Sequence, residues 1–203
     1  MSGIIQAVLS SMTTGLSFDP TKKGSYNTLS NNNKTVRAFY PGGVSSALCN
    51  REITIHDKVM FSMTIDNWSR SDHDFIGICN SIFNYNGNFL GQDTSSLGFC
   101  CNGSLWINNQ SFVTMETNIF ENNTSRTIDI CVNNVNKFIW IRVNGWAWNG
   151  YASTDPATNS GITFDLGGGS IYPAVTSSYY TYAAQFTINQ FPIYTVPSGF
   201  TFI

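Results

Sequence analysis

The chain has 203 residues, of which 42% are hydrophobic and only 11% charged, with a formal net charge of −2. That length supports one sizeable core, and the charge balance excludes the basic field that draws nucleic acid or anionic lipid. Polarity comes instead from Asn, Ser, Thr and Gly, a composition suited to strands joined by tight turns because Asn and Gly tolerate positive φ.

In chain order, Ile4, Ile5, Val8, Leu9 and Met12 recur at helical spacing and predict a short amphipathic helix. The opening stretch to Leu16 has no positive n-region and is too short and polar to span a bilayer. Residues 21–34, with Lys22-Lys23-Gly24 and Asn31-Asn32-Asn33, read as loop. Residues 1–34 are therefore expected to be an arm of helix plus loop, and residues 35–203 a single β-domain.

Within that domain, Thr35–Tyr40 alternates and stops at Pro41-Gly42-Gly43, and Val44–Leu48 follows as a second strand. Ile53 and Ile55 alternate before a turn at His56-Asp57. Val59, Phe61, Met63 and Ile65 alternate with Met60, Ser62 and Thr64, the pattern of a half-buried strand. Phe75–Cys79, Ser96–Cys101 and Ser104–Ile107 are strands, the last two joined by an Asn102-Gly103 turn. An irregular strand is expected in Phe112–Phe120, then strands at Thr127–Val132 and Phe138–Val143.

Phe138–Val143 runs into Asn144-Gly145, a strong hairpin signal. Trp140, Trp146 and Trp148 crowd into nine residues there. Ile162–Leu166, Ile171–Val175, Tyr182–Ile188 and Phe200–Ile203 complete the strands. About a dozen short strands with almost no helical pattern argue an antiparallel β-sandwich.

The residues that could carry chemistry do not assemble. The cysteines Cys49, Cys79, Cys100, Cys101 and Cys131 are odd in number, show no C-x-x-C spacing and have only His56 and His73 for company. They read as buried free thiols rather than a zinc site, and Cys79 with His73 is not a triad. Glycosidase chemistry needs two facing carboxylates. Asp129 lies on a strand without an obvious carboxylate partner. Asn149, Asp155 and Asn159 match no calcium loop, and Gly167-Gly168-Gly169 is a turn rather than a phosphate loop. No cofactor, metal or catalytic residue is expected.

Binding residues are easier to place. Trp140 reads as core. Trp146, Trp148 and Tyr151 follow the turn, where core packing and an exposed contact patch both remain open. Tyr179 and Tyr180 lie in the Tyr/Ser-rich run Ser177–Tyr182, a mixture that combines rigid anchors with adaptable hydrogen bonding.

The order of short motifs resembles the SPRY (B30.2) family. Phe75-Ile-Gly-Ile-Cys79, Leu90-Gly91, Ser96-Leu-Gly-Phe99 and Asn102-Gly-Ser-Leu-Trp106 come first. Ile128-Asp-Ile-Cys-Val132, Phe138-Ile-Trp-Ile-Arg-Val-Asn-Gly145, Ile171-Tyr-Pro-Ala-Val175 and the closing Tyr194-Thr-Val-Pro-Ser-Gly-Phe200 follow. The family's tryptophan in "S-W-G" is Leu97 here. The segment Trp146-Ala-Trp148-Asn-Gly150 and its long following loop resemble variants of the fold in bacterial and bacteriophage proteins.

The resemblance implies a concanavalin-like, jelly-roll type sandwich of two bent antiparallel sheets. With the low charge and apolar arm, it yields the expectation of a non-enzymatic bacteriophage structural or binding protein. Such a protein would be a capsid-decoration, tail or fibre-associated subunit in the virion, assembled in the host cytoplasm. Its partners would be other virion proteins, further copies of itself in a homo-oligomer, or a cell-surface glycan, with no nucleic acid and no membrane insertion. The alternatives are a cytosolic peptide-recognition module and a carbohydrate-binding domain with Trp146 and Trp148 stacked on sugar rings.

Overall fold

The computed structural model describes residues 15–38, 43–67, 74–115, 125–177 and 184–203. Their strands are β1 (Phe18–Lys23), β2 (Asn27–Ser30), β3 (Thr35–Ala38), β4 (Ser45–Cys49), β5 (Lys58–Asp66), β6 (Phe75–Asn80) and β7 (Ser96–Cys100). There follow β8 (Ser104–Ile107), β9 (Gln110–Thr114), β10 (Arg126–Asn133), β11 (Phe138–Val143), β12 (Ile162–Thr163), β13 (Ile171–Ser177), β14 (Gln185–Ile188) and β15 (Thr201–Phe202). One sheet has the order β1-β4-β13-β6-β7-β8-β9, and the other β12-β11-β10-β5-β14-β3-β2. All pairings are antiparallel except that of β15, which lies parallel to β5.

The expected all-β sandwich is therefore the observed architecture. The helix expected at residues 4–12 lies outside the described residues, and among the described residues there is no α-helix, only a 3-10 turn at Trp148–Gly150. The strands β1 and β2 fall within the stretch expected to be an arm of helix plus loop and belong to the sandwich. Both are edge strands, β1 pairing β4 and β2 pairing β3. An edge strand buries little, tolerates Pro20 and gains from Lys22 and Lys23, which discourage pairing with another chain. Ile53 forms only an isolated bridge with Ile171.

Alternation decides which face each side chain takes. Val59, Phe61, Met63, Ile65, Ile128, Ile130, Val132, Ile139, Ile141 and Val143 point between the sheets and join one large apolar cluster. In the first sheet the strands β6 and β7 are buried on both faces. The outer face there is covered by the segment between β6 and β7, whose Phe89 stacks on Phe75 at 5.1 Å and meets Trp106 edge-on at 6.0 Å.

That cover explains the motif glycine Gly98, and the neighbouring strand β7 explains Gly77. Gly77 and Gly98 are directly paired, and a Cβ on Gly98 would sit 2.5 Å from the carbonyl oxygen of Leu90. A Cβ on Gly77 would sit 2.0 Å from that of Leu97.

The second sheet carries a smaller cluster on its outer face, formed by Met60, Cys131, Trp140 and Trp148. Phe138, Val196, Phe200 and Phe202 pack against it. Trp140 is thus buried, but beneath the C-terminal segment rather than between the sheets. That segment leaves β14 halfway along β5 and returns as β15 on the same edge of β5, opposite Val59 and Met60. In between it crosses the sheet as a strap. Asn189 N–H donates to the Ser62 carbonyl (3.0 Å), and Phe200 meets Trp140 edge-on at 5.8 Å.

A methyl at position 98 must push the strand and its cover apart. Gly98→Ala is expected to lower the free energy of unfolding by about 1–3 kcal/mol, as overpacking against backbone does. Urea denaturation of the two proteins checks this, and an unchanged midpoint would contradict the packing.

Candidate functional site

The site is built from the corner that ends β11. Asn144 and Gly145 take φ of 49° and 74°, and Trp146 N–H donates to the Val143 carbonyl (2.9 Å). This is the left-handed two-residue turn that an Asn-Gly pair favours. Asn144 also closes onto β10, where its Oδ1 accepts from Thr127 N–H (2.9 Å).

The chain does not return as a strand. Asn149 Oδ1 accepts from Ile141 N–H (2.9 Å), so a side-chain amide takes the place a returning strand's carbonyl would fill. The non-helical φ of Asn149, 52°, turns that amide inward. A Cβ on Gly145 would lie 2.5 Å from the Tyr194 ring, so the glycine lets the strap close against the corner.

Beneath the corner lies a buried ion pair. Asp129 on β10 and Arg142 on β11 are register partners, and both point outward under the strap. Arg142 Nε donates to Asp129 Oδ2 at 2.9 Å and Nη2 reaches the same oxygen at 2.8 Å. Nη2 also donates to the Thr195 carbonyl of the strap (3.2 Å). The guanidinium carbon lies 4.2 Å from the centre of the Trp148 ring and 5.4 Å from that of Tyr194. Cation–π contacts are strongest when desolvated, and both charged side chains here are buried. Burial pushes the Asp129 carboxyl above its ordinary value, while the Ser62 hydroxyl and the Arg142 guanidinium pull it down.

The expected contact residues separate on this scaffold. Trp148 is 7% exposed and its ring faces the Arg142 guanidinium. Trp146 is 60% exposed and Tyr151 63% exposed, so these two rings are presented to solvent on the same short segment. Tyr179 and Tyr180 lie outside the described residues. Phe191 and Ile193 are exposed aromatic and aliphatic side chains that precede Tyr194 on the strap. Sequence reading missed them because only the path of the strap brings Tyr194 to Gly145. The apolar spacing of Phe191-Pro-Ile-Tyr194 was their one visible signal.

The other candidates are occupied locally. Asp155 Oδ1 accepts from Ala157 N–H (2.9 Å), Asn159 Nδ2 donates to the Ser153 carbonyl (3.2 Å), and Asn149 is turned into β11. These three do not converge on a cation. Among the described residues no group of three His, Cys, Asp or Glu side chains is placed to hold a metal. All five cysteines are buried and none is in a disulfide, and burial pushes the thiols of Cys49, Cys79 and Cys131 up, away from the reactive thiolate. His73 lies outside the described residues.

The fold is that of the SPRY domains. The SPRY domain of human HERC1 superposes with a TM-score of 0.67 at 15% identity, covering 87% of this chain and 99% of that one. Stonustoxin gives a TM-score of 0.60 at 12% identity, with 86% of this chain matched to 27% of the toxin chain. The PSpry domain of TRIM65 gives 0.56 at 15% identity, covering 86% of this chain and 89% of that one. No protein-family model matches the chain, and no curated protein matches it in sequence.

Arg142→Met leaves the Asp129 carboxylate buried without its cation and is expected to cost about 3 kcal/mol of stability by chemical denaturation. The carboxyl also sets a pH dependence. With its pKa raised above 3.8 in the fold, Asp129 binds its proton more tightly folded than unfolded. Its contribution to stability therefore falls as pH rises above 3.8 and levels off once the folded carboxyl is ionised. Asp129→Asn removes this slope. The stability difference, wild type minus variant, is expected to fall as pH rises above about 4, and a difference that grows with pH there would contradict it.

Proposed function

We propose that this chain is a binding protein rather than an enzyme, and that it grips a protein partner through the corner at the end of β11. The observation that carries the reading is the contrast within the six residues Trp146 to Tyr151. Trp148 and Asn149 are buried and fix the backbone, while Trp146 and Tyr151 hold their rings in water. Exposed aromatics on a rigid base give contact area at small cost in conformational entropy. Phe191 and Ile193 are exposed on the strap, whose Tyr194 closes against Gly145.

We further propose that the partner belongs to a virus particle, with the chain as a bacteriophage capsid-decoration, tail or fibre-associated subunit. The support is compositional: 11% charged residues, turns made largely from asparagine, and the variant corner with its long following loop. Association with neighbouring virion proteins or with further copies of the chain is part of this reading, as is location in the virion. Flat exposed rings also suit stacking on sugars, so a cell-surface glycan is the second reading. Trp146 and Tyr151 would form that surface, since the exposed face of Trp148 is small.

The test is particle association. The chain is expected in gradient-purified virions by mass spectrometry. A Trp146→Ser, Tyr151→Ser double variant is expected to lose at least about tenfold of its association. Its melting temperature should stay within about 2 °C of wild type, because both rings are exposed. Absence from particles removes the virion reading, and full association of the double variant removes the corner. Binding on a glycan array that the double variant abolishes would favour the sugar reading.

A further inference from the structure

At the opposite end of the second sheet from the aromatic corner, an open, solvent-facing depression of about 330 Å³ lies between the β4–β5 connection and the C-terminal strap. Arg51, His56, Asp57, Lys58 and Thr201 line it, with Val59 and Gly199 as its backbone wall. The chain has only ten Lys and Arg and two His in 203 residues, so three cationic or protonatable side chains on one small depression are a local concentration. The neighbouring carboxylate Glu52 is not among the lining residues. Asp57 is, but its Oδ2 is already engaged by the Thr54 N–H (2.6 Å) and the Thr54 hydroxyl (2.8 Å).

The walls are fixed before any ligand arrives. Ile53 is buried and exchanges both backbone hydrogen bonds with Ile171, at 2.7 and 3.1 Å. Asn134 Nδ2 donates to the carbonyls of Ile53 (3.1 Å) and Thr54 (3.0 Å), and Asn134 N–H donates to the Asp57 carbonyl (3.0 Å). On the far side β15 is paired to Val59, and Gly199 takes a left-handed φ of 83° that turns the strap into it. A site whose backbone is already ordered loses little entropy on binding.

We propose that this depression binds the phosphate group of a small phosphate ester. The lining includes a guanidinium (Arg51), an imidazole (His56), an ammonium (Lys58) and the Thr201 hydroxyl, four side chains able to donate. A tetrahedral oxyanion presents three or four oxygens to such a set, whereas a planar carboxylate presents two. The volume exceeds what a bare phosphate needs and falls at the lower bound of small-molecule sites, which leaves room for the ester's organic part. The site is independent of the aromatic corner and of its partner, so either can fail without the other.

Isothermal titration calorimetry on the whole chain at low salt tests this, with inorganic phosphate and glycerol 1-phosphate as probes. Saturable binding of both is expected, tighter for the ester. Arg51→Gln and Lys58→Gln are each expected to weaken it about tenfold, the loss of one charge-assisted contact. Arg37→Gln, a cation on β3 away from the depression, should leave it unchanged. Circular dichroism melting confirms that the variants fold. The proposal is overturned by absence of phosphate binding, by equal binding in the Arg51→Gln, Lys58→Gln double variant, or by an affinity for the ester no higher than for inorganic phosphate. Binding of an Asp/Glu-rich peptide in place of either phosphate would also overturn it.

Discussion

The contact on which the outer half of this molecule depends is the buried pair of Asp129 and Arg142. Two charges withdrawn from water are costly unless good geometry and added hydrogen bonds offset the loss. Here Arg142 divides its donors between the carboxylate and the Thr195 carbonyl, and lends its face to Trp148. The pair therefore links the sheet, the segment after the turn and the distant strap. An apolar side chain in place of Arg142 could fill the space but could not hold the strap's carbonyl. The ion pair gives the covering segment one position on the sheet, as buried polar contacts can do when they select a register.

The central strands were legible because burial on one or both faces leaves its period in the chain. Val59 to Ile65 and Ile128 to Val132 alternate in the sequence as they do in space. The edges were not legible. In β1, Asp19 turns back on Thr21 N–H (2.8 Å) and Pro20 follows it, which reads as loop and is also what a protected edge looks like. The strap was seen as a motif but not as a cover, since nothing in Tyr194 to Phe200 says which face it will cross.

The candidate site shows the same division. Trp146 and Tyr151 could be suspected because they follow an Asn-Gly corner that had to turn. That Trp148, two residues on, is buried depends on Arg142 pointing outward, a fact of strand alternation plus the strap above it. The polar depression at the other end was not legible, because Arg51 and Lys58 meet Thr201 only through the parallel pairing of β15. The asparagine-rich composition, by contrast, has a direct structural meaning. Asn31, Asn32, Asn33, Asn67, Asn108, Asn109, Asn144 and Asn149 all adopt left-handed φ, doing at the turns what glycine does elsewhere while keeping a side-chain amide for bonds such as that from Ile141 N–H.

The path of the strap also bears on the order in which the molecule assembles. Its far anchor, β15, pairs with β5 across more than a hundred residues of chain, and the strap can cross the sheet only after β14 has taken its place between β5 and β3. A cover that needs the finished sheet beneath it is a late event in a search dominated by non-local pairing. Until it closes, the face holding Trp140 and the ion pair stays wet, and the sheets form on their inner apolar faces alone. Contacts made after the rate-limiting step slow the return journey without hastening the outward one. The strap, on this reasoning, acts as a latch on the lifetime of the finished fold and has little say in how quickly it is reached.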